Sequence, residues 1–268
     1  MGNVTTDVKP ERSKFSYLDL LASLGSAKHI GGKGATEILL NEAGIQPGSR
    51  VLDVGCGMGK TSCKLAKEKD CRVVGLDIMP RMIKESKTRA RQLGVDDKTT
   101  FLMCDAKSLP FKADAFDAVI VESVTVFVEE VERAINEYCR VVKTGGPVCD
   151  NEVCVTRDTI GKMGDRLEDL KSVFTAFNST TSKGMLTFED WKEMYEACFG
   201  NVKASHHLID MNVEMETRRE DGFKTFAANI KSMWLYMTNP EAKQIMDEGR
   251  KILQFQGEFG YGLYVSRK

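Results

Sequence analysis

The feature that most constrains the fold is the segment VLDVGCGMGK, residues 51–60, in which an apolar run containing an acid is followed by three glycines at alternate positions. The apolar residues are strand formers, and an amphipathic stretch with helical spacing begins directly after the last glycine. Glycine accepts positive φ angles and lets a ligand approach the backbone. Free N–H groups at the start of the next helix favour an anionic group. The segment therefore predicts a strand, a loop and a helix that hold a small ligand with a negatively charged end.

Strand patterns alternate with helical patterns through the first 155 residues. This alternation is typical of βαβ units with right-handed crossovers and a mostly parallel sheet, so it predicts a doubly wound α/β fold. The ligand crevice of such a fold lies at the carboxyl edge of the strands. Asp53, Asp77 and Asp105 each end or directly follow a predicted strand. We therefore expect these three acids to converge on one edge of the sheet.

Beyond residue 155 the alternation becomes irregular. Apolar residues recur at helical spacing from Ile160 to Phe177 and predict one amphipathic helix over 158–178. The rest of the chain predicts, in order, a capped helix, a strand, two helices and a closing strand, at 188–198, 201–213, 217–237, 240–254 and 260–267. This part adds helices that a plain nucleotide-binding sheet does not need.

The spacing of the glycines discriminates between classes of nucleotide-binding loop. The dinucleotide fingerprint is G-x-G-x-x-G, whereas the glycines here stand at 55, 57 and 59 and Lys60 follows, which disfavours NAD. A P-loop is excluded because no GK[ST] follows a four-residue spacer. Asp77 is placed to accept both hydroxyls of a ribose, a role that does not distinguish a dinucleotide from other nucleoside ligands.

Four sequence blocks resemble the class I S-adenosylmethionine-dependent methyltransferases. The resemblance is closest to the small-molecule branch that includes ubiquinone- and menaquinone-biosynthesis enzymes, the type 11 methyltransferase domain. The blocks are VLDVGCGMG, VVGLDIMPRMI, CDAKSLPFKADAFDAV and RVVKTGGPV, in family order over residues 50–150. The later stretches LTFEDWKEMYEACFGNV and GYGLYVSR resemble the last helix and the final antiparallel strand of this branch.

The resemblance implies a Rossmann-like sheet of seven mostly parallel strands with an antiparallel last strand, plus a helical cap. It also implies S-adenosyl-L-methionine as cofactor, with S-adenosyl-L-homocysteine as product. We divide the chain into an N-terminal tail and lid helix, a cofactor-binding core, a helical cap insert, two segments that complete the sheet, and a helical insert. These parts span 1–34, 35–155, 156–186, 187–213 with 257–268, and 214–256, respectively.

The resemblance further implies which residues hold the cofactor. They are Asp53, Gly55, Gly57, Gly59, Asp77, Ile78, Met79, Asp105, Ala106, Glu122 and Ser123. The glycines would wrap the methionine and ribose parts, and Asp77 would take the ribose hydroxyls. Ile78 and Met79 would pack on the adenine, whose amino edge would meet Asp105 and Ala106.

Glu122 and Ser123 follow the fourth strand, where the resemblance places the methionine end of the cofactor and the acceptor. Other roles remain open for several of these residues. Met79 could be a core residue and Glu122 an exposed loop acid, and Asp77 and Asp105 could cap their own loops.

Methyl transfer from a sulfonium is an in-line displacement, in which orientation and exclusion of water supply much of the acceleration. A general base is needed only where the proton of the acceptor must leave early. The sequence contains no decisive base; the candidates for contact with the acceptor are Tyr17, His29, Glu122, Glu152 after the fifth strand, and Trp234. His29 precedes Gly31 and Gly32, a joint suited to a lid, although a helix cap or surface position is the alternative.

Two apolar stripes between the last strands bear on the acceptor. They comprise Phe223, Phe226, Ala227, Ile230, Met233, Trp234 and Met237, and then Ala242, Ile245, Met246, Gly249 and Leu253. The stripes either pack on each other and the sheet or roof an acceptor pocket. Their methionine and aromatic content favours a small apolar or aromatic acceptor, and we choose Trp234 as the residue facing the pocket. The chain also lacks the [DN]-P-P-[FY] tetrapeptide of enzymes that methylate amino groups of bases or glutamine.

The composition of the chain limits the kinds of partner and ligand that we expect. The net charge is −1 without a basic tract, which predicts no nucleic-acid partner, and no apolar run is long enough to span a membrane. None of the eight cysteines forms a CxxC pair, and His206 and His207 lack cysteine partners at metal-binding spacing, so we predict no metal. We expect a cytoplasmic protein and leave open a homodimer.

Two rival functions remain at this point. The first is a non-catalytic protein that keeps the fold as a binding or scaffolding module. The second is another nucleoside-cofactor enzyme, such as an aminopropyl transferase or a dehydrogenase. Three acids at strand ends argue against a scaffold, which has no physical need for them.

Overall fold

The structure, a computed structural model, describes residues 15–24, 29–177, 184–209 and 223–268; for Ala22, Phe177 and residues 223–227 only the backbone is described. The predicted tail at 1–13, most of the loop before residue 184, the end of the strand predicted to reach 213, and the start of the helix predicted from 217 lie outside these ranges. So do the side chains of Phe223, Phe226 and Ala227.

Seven strands form one sheet in the order β3-β2-β1-β4-β5-β7-β6. They are β1 (Arg50–Val54), β2 (Arg72–Asp77), β3 (Thr99–Met103), β4 (Ala118–Glu122), β5 (Pro147–Cys154), β6 (Val202–Leu208) and β7 (Gly260–Arg267). Strands β1 to β5 pair in parallel, and β7 runs antiparallel to both β5 and β6. This arrangement confirms the predicted seven-stranded, mostly parallel sheet with an antiparallel last strand.

Ten α-helices are described around this sheet. They are α1 (Tyr17–Leu24), α2 (Gly32–Ala43), α3 (Lys60–Glu68), α4 (Pro80–Leu93), α5 (Val131–Val141), α6 (Arg157–Lys162), α7 (Arg166–Phe177), α8 (Phe188–Phe199), α9 (Phe223–Thr238) and α10 (Pro240–Lys251). Pro80 begins α4, where its missing N–H costs nothing, and the predicted cap of α8 is present as reciprocal bonds between Thr187 and Asp190.

Successive residues of the strands point to opposite faces of the sheet, and each face packs into its own hydrophobic core. Val51 and Ile120 pack with α2, α3 and α4, whereas Leu52 and Val121 pack with α5 and α8. Helices on both faces bury both sides of the parallel strands, as a doubly wound fold requires. The carboxyl ends of β1 to β5 are thereby left as the edge at which loops can form a site.

The single helix predicted over 158–178 is wrong. Two helices, α6 and α7, replace it, and Gly164 between them has a φ of +54°, in the left-handed region where a helix cannot continue. Ile160, Met163 and Leu167 all pack into the same cluster. The apolar spacing therefore predicted which residues face inward, but it did not predict the break in the helix at Gly164.

Four helices, α1, α7, α9 and α10, form a separate helical layer, which we call the helical cap. Leu20 of α1, Leu235 of α9 and Ala242 of α10 are buried against one another, and α7 packs on α10. The stripe predicted on α9 is different, because Ile230, Met233, Trp234 and Met237 are each at least half exposed. In the described part of the chain, no helix is long and apolar enough to cross a membrane.

Candidate active site

The glycine loop lies at the carboxyl edge, between the end of β1 and the start of α3. Gly55, Gly57 and Gly59 have φ angles of +67°, +51° and +70°. A Cβ on Gly55 would lie 2.1 Å from Cγ2 of Val124, and one on Gly59 would lie 2.9 Å from Cβ of Ser86. The backbone conformation and the packing of the protein itself therefore require glycine here, before any ligand is considered.

Asp77 ends β2 with its carboxylate fixed by two backbone donors. The N–H of Gly57 donates to Oδ2 over 3.0 Å, and the N–H of Met79 donates to Oδ1 over 2.8 Å. Burial raises the pKa of this carboxyl, and the bonds from Met79 and Gly57 act against that rise. Each oxygen accepts one of these bonds and keeps a second lone pair for a ligand donor. The carboxylate is thus oriented in advance beside the glycine loop.

An apolar surface adjoins Asp77. Ile78 is 55% exposed although it is a large aliphatic residue. Met79 is half-buried and packs with the buried side chains of Met58 and Met82. An exposed apolar side chain next to an oriented carboxylate suits the flat ring and the sugar of a nucleoside.

Asp105 and Ala106 follow β3 on the same edge. Oδ1 of Asp105 accepts from the N–H of Lys107 over 2.9 Å, which closes a local turn. The ammonium of Lys107 lies 3.9 Å from Oδ2 of Asp105 and 3.4 Å from Glu130. Asp105 is exposed and Ala106 is buried. Asp105 therefore caps its own loop and also presents a carboxylate to the crevice edge.

Asp53 was expected at the ligand, and the structure places it beneath the loop. It is 3% exposed, and its Oδ2 accepts a short hydrogen bond from the hydroxyl of Ser62 in α3. Burial raises the pKa of Asp53 to about 7. The carboxyl joins β1 to α3 and is not available for direct contact with a ligand.

Glu122, at the end of β4, is the centre of a hydrogen-bond network. Its Oε1 accepts from the hydroxyl of Thr36 over 2.6 Å, and its Oε2 accepts from the hydroxyl of Thr61 over 2.7 Å. The side chain is only 7% exposed. An exposed loop acid, the alternative that the sequence left open, is therefore wrong. Glu122 ties α2 and α3 to the end of the sheet.

His29 belongs to the same network. Its Nε2 lies 2.8 Å from the carbonyl oxygen of Gly32, 2.8 Å from the hydroxyl oxygen of Thr36 and 3.5 Å from Oε1 of Glu122. A carbonyl oxygen accepts hydrogen bonds and never donates them. The hydrogen between Nε2 and the carbonyl oxygen of Gly32 must therefore belong to Nε2. The hydroxyl of Thr36, which lies near Nε2 and donates to Oε1, connects the ring to the carboxylate of Glu122.

The backbone after His29 is held by Ser123, which follows the end of β4, and by Asn151 within β5. The N–H of Ile30 donates to the hydroxyl of Ser123 over 3.1 Å, and the side-chain amide of Asn151 donates to the carbonyl of Ile30 over 2.8 Å. Ser123 has a φ of +56°, an uncommon conformation for a residue with a side chain. Its own N–H donates to the carbonyl of Asn151 over 2.6 Å, which holds that conformation. The segment around Ile30 is consequently a strap across this edge of the sheet.

Glu152 lies inside β5, not after it, and is completely buried. Its Oε1 accepts from the N–H groups of Val124 and Thr125 over 3.0 and 2.6 Å. Asp150, on the same face of the strand, accepts from the hydroxyl of Thr125 over 3.1 Å and from that of Tyr195. Burial raises the pKa of both carboxyls, that of Asp150 to about 7. These acids hold the loop after β4 through hydrogen bonds to Val124 and Thr125. Because Glu152 is completely buried, it cannot contact an acceptor.

Tyr17 and Trp234 belong to the helical cap. The ring of Tyr17 lies 5.8 Å from that of Phe127, in the loop after β4, so α1 reaches the same edge as Glu122. Trp234 is 56% exposed on α9. Burial, together with the positive charge of Arg81 in the first turn of α4, lowers the pKa of Lys231 on α9.

Several residues of the network were not identified from the sequence. They are Ile30, Thr36, Thr61, Asp150, Asn151 and Tyr195. One signal was available, because the strand PVCDNEVC carries three consecutive polar residues in an otherwise apolar run. Consecutive polar residues in a strand flanked by sheet on both sides must find buried partners. Threonines 36 and 61 gave no such signal, since they sit in ordinary helical patterns.

Asp77 and Ile78 together present an oriented carboxylate and an apolar surface, which are the features that suit a nucleoside. Among the described residues, no group of three or more His, Cys, Asp or Glu side chains is arranged to hold a metal ion. The polar groups that face each other here are suited to binding and to moving a proton.

Comparison with known proteins gives consistent matches. The methyltransferase domain family matches residues 52–149. An uncharacterised protein of Haemophilus influenzae is 32% identical over 188 residues, which cover 69% of this chain and 72% of that protein. The sterol 24-C-methyltransferase ERG6B of Gibberella zeae is 36% identical over 108 residues, which cover 40% of this chain but only 28% of that enzyme.

Among solved structures, phosphoethanolamine N-methyltransferase 2 of Haemonchus contortus in complex with S-adenosyl-L-methionine superposes with a TM-score of 0.68. It is 18% identical, and the match covers 100% of this chain and 60% of that one. At this identity the likeness concerns the fold.

Proposed function

Because this chain belongs to the class I S-adenosylmethionine-dependent methyltransferases that act on small molecules, we propose that its crevice binds S-adenosylmethionine between the glycine loop and Asp77. We further propose that the enzyme methylates a small, largely apolar or aromatic acceptor under the helical cap. The observation that carries the proposal is the Asp77 carboxylate, held by two backbone N–H groups beside the exposed side chain of Ile78. When bound, the cofactor supplies a methyl group on a sulfonium sulfur.

The residues of the crevice fit this cofactor in their chemistry. Asp77 would accept the ribose hydroxyls with the lone pairs that Gly57 and Met79 leave free. Ile78 would cover one face of the adenine, with Met79 behind it. Ala106 and the exposed carboxylate of Asp105 would border its amino edge. The turn at Gly57 would leave room for the methionine part.

Glu122 has a different role in this proposal from the one the sequence resemblance implied. Both of its oxygens already accept hydroxyl groups from α2 and α3. Glu122 therefore acts as a positioning residue that holds the glycine-loop helix and the His29 strap together. Ser123 likewise serves the strap through its bond with Ile30.

The proposal for the acceptor rests on the surfaces around the strap. Trp234 and Met233 on α9 are more than half exposed, and Tyr17 packs on Phe127 at the end of β4. Aromatic and methionine side chains favour an apolar or aromatic molecule of small size. We also expect a cytoplasmic protein without a nucleic-acid partner, in keeping with a net charge of −1. Sedimentation or light scattering of the full chain would measure its mass in solution and so test for a homodimer.

Titration calorimetry tests the cofactor assignment directly. The full chain is titrated with S-adenosylmethionine, with S-adenosylhomocysteine and with NADH. We expect binding of the first two and no binding of NADH. Heat from NADH alone would favour a dehydrogenase, and no heat from any of the three would contradict the proposed function.

Asp77→Ala is the decisive variant. Loss of a partly buried carboxylate–hydroxyl contact should cost about 2–3 kcal/mol, or on the order of a hundredfold in Kd for S-adenosylmethionine. Asp117→Ala is the matched control, because Asp117 directly precedes β4 at the opposite, amino edge of the sheet. Equal affinities of the two variants would rule out the role of Asp77.

An acceptor panel with methyl-labelled S-adenosylmethionine then tests catalysis. The panel contains amines, phenols, thiols, carboxylic acids and a sterol as a carbon acceptor. Transfer of label to any member, above a control without enzyme, establishes the activity. Cofactor binding with no transfer to any member would favour the non-catalytic binding module.

A further inference from the structure

We propose that His29 is the general base of the transfer, and that its Nδ1 takes the proton from an acceptor that carries it on nitrogen, oxygen or sulfur. This inference rests on the proposed function and adds the chemical class of the acceptor. It commits the enzyme to methylating a protic heteroatom.

The tautomer of His29 is set by its neighbours. Nε2 lies 2.8 Å from the carbonyl oxygen of Gly32, which can only accept, so Nε2 carries a hydrogen. In a neutral imidazole the other nitrogen then has a free lone pair. Nδ1 makes no hydrogen bond to any residue in the described part of the chain, and the side chain is 19% exposed. The result is a partly exposed base whose Nδ1 lone pair is not taken up by any residue that the structure describes.

A buried carboxylate stands behind the ring. The single hydrogen on Nε2 is shared between the carbonyl oxygen of Gly32 and the hydroxyl oxygen of Thr36, and Thr36 donates its own hydrogen to Oε1 of Glu122, which lies 3.5 Å from Nε2. Positive charge that forms on the imidazole when Nδ1 takes a proton is therefore opposed by a nearby negative charge. In hydrolytic triads the acid contacts the base directly, orients it and stabilises its charged form; here Glu122 would do the same through the hydroxyl of Thr36.

The strap places this ring at the acceptor end of the crevice. Ile30, the next residue, is held at both of its backbone polar groups by Ser123 and Asn151. Ser123 directly follows the end of β4, and Asn151 lies within β5, where it pairs with Glu122, the last residue of β4. A base must be positioned before it can act, and this backbone cannot shift without breaking two hydrogen bonds.

The other acids near the site are unsuited to the role. The side chain of Glu122 is only 7% exposed and is held between the hydroxyls of Thr36 and Thr61, so an acceptor cannot reach it. Glu152 and Asp150 are completely buried within β5. Among the acids and the histidine near this edge, His29 is the group that combines a fixed hydrogen, an open lone pair and access to the crevice.

The step balances as follows. The acceptor heteroatom forms a bond to the methyl carbon while the carbon–sulfur bond breaks, and the electron pair of that bond stays on sulfur. The hydrogen of the heteroatom passes to Nδ1 as a proton, and its bonding pair remains on the heteroatom. The products are the methylated acceptor, a neutral thioether and an imidazolium, which later releases the proton to water.

Nitrogen NMR of the ligand-free protein tests the tautomer without any acceptor. The chain has three histidines, so His29→Gln identifies the ring signals of His29 by their disappearance. At a pH where the ring is neutral, we expect the hydrogen on Nε2 and a bare Nδ1. A hydrogen on Nδ1 would overturn the proposal, whether or not an acceptor has been found.

The kinetic arm uses labelled S-adenosylmethionine with the best acceptor of the panel. His29→Gln should lower kcat about 10²–10⁴-fold, the usual contribution of a general base, and leave the Kd for S-adenosylhomocysteine within about threefold. Added imidazole should restore part of the rate of His29→Ala, which a purely structural histidine would not allow. His206→Gln is the matched control, since His206 lies on edge strand β6 against Phe188, and it should keep the rate.

The relay gives a graded prediction. Thr36→Val removes the bridging hydroxyl and should lower kcat more than Thr36→Ser, which keeps it. An unchanged kcat in His29→Gln, or a best acceptor methylated at carbon without loss of a proton, would overturn the inference while cofactor binding stands. Failure of the wild type to bind S-adenosylmethionine would instead contradict the proposed function.

Discussion

The two halves of the crevice are built from contacts of very different range. On the proposed cofactor side, Asp77 bonds to residues 20 and 2 positions away along the chain. On the proposed acceptor side, Glu122 and Thr36 are 86 positions apart, and Asn151 and Ile30 are 121 apart. The first half is a local motif, whereas the second exists only after the chain has folded.

The donors differ as well. Asp77 accepts from main-chain N–H groups, which every non-proline residue supplies, while Glu122 accepts from the side chains of Thr36 and Thr61. Side-chain donors can be replaced one at a time, but main-chain donors remain after most substitutions. The acceptor half is therefore the part that a change of few residues can redesign.

Gly55→Ala should have the largest effect and would test whether the local half is as rigid as its packing indicates. The added Cβ meets Val124 at 2.1 Å in a backbone with a φ of +67°. Left-handed strain of about 1–2 kcal/mol and overpacking of about 1–3 kcal/mol should lower the free energy of unfolding and abolish cofactor binding. Denaturant unfolding and calorimetry measure the two effects.

Gly94→Ala separates the two causes. Gly94 ends α4 with a φ of +65° but has nothing within 4 Å of its added Cβ. It should show the strain alone, and cofactor binding should persist. If Gly55→Ala is no more destabilised than Gly94→Ala, the contact with Val124 is unimportant.

Asp150→Asn and Asp53→Asn compare buried charge in the two halves. Burial raises the pKa of each carboxyl to about 7, while an unfolded Asp releases its proton near about 4. The folded protein therefore holds more protons between these values, so its stability is greatest at the acid end and falls as pH rises toward 7. Each variant should reduce that fall in the free energy of unfolding, by about 4 kcal/mol at pH 8 for a pKa difference of about three units.

Asp117→Asn provides a control of opposite sign. The hydrogen bond from Lys143 holds the pKa of Asp117 below its usual range, so its contribution is present above that range and lost in acid. Asp117→Asn should lower the stability slightly at neutral pH. A wild-type stability that is flat between pH 5 and 8 would contradict the assignment of buried protons to Asp53 and Asp150.

Thr61→Val tests the side-chain donors of the acceptor half. It leaves Oε2 of Glu122 without its 2.7 Å donor in a buried site, which should cost about 1–3 kcal/mol of unfolding free energy. Thr88→Val is the matched control, since the hydroxyl of Thr88 bonds only the exposed turn of its own helix, and it should change stability by less than about 0.5 kcal/mol. Similar losses in both variants would mean that the network does not matter.

Trp234→Ala should have the smallest effect on stability, and it tests whether the acceptor half extends to α9. Trp234 is 56% exposed, so the free energy of unfolding should change by less than about 0.5 kcal/mol. The acceptor KM should rise while the Kd of the cofactor stays constant. Its neighbour Leu235, only 6% exposed, should instead cost about 2–5 kcal/mol on truncation to alanine. The reverse order would assign Trp234 to the packing of the cap.

The same contrast explains what the sequence could predict. The positions of Asp77 at a strand end and of the three glycines in the neighbouring loop could be predicted because strand end, turn and helix start are consecutive in the chain. The sheet followed from the alternation of strands and helices. Glu152 was misplaced, since a short polar run in a strand resembles the end of that strand until its buried partners are known.

Other errors have the same origin in long-range packing. The break at Gly164 left no trace in the apolar spacing, because residues on both sides of it face one core. The bonds of Thr36 and Asn151 depend on elements brought together by the whole sheet. Local patterns contain no information about such partners.

The position of β7 has a consequence for how the chain is made. This strand lies between β5 and β6 and hydrogen-bonds to both, although it comes after both in the sequence. While the polypeptide is being synthesised, β5 has an open edge and β6 has no sheet partner until residues 260–267 have left the ribosome. An open edge on a nascent sheet invites pairing with other chains. Nascent chains stalled before β7 are therefore expected to associate with one another or with chaperones more strongly than chains stalled after it.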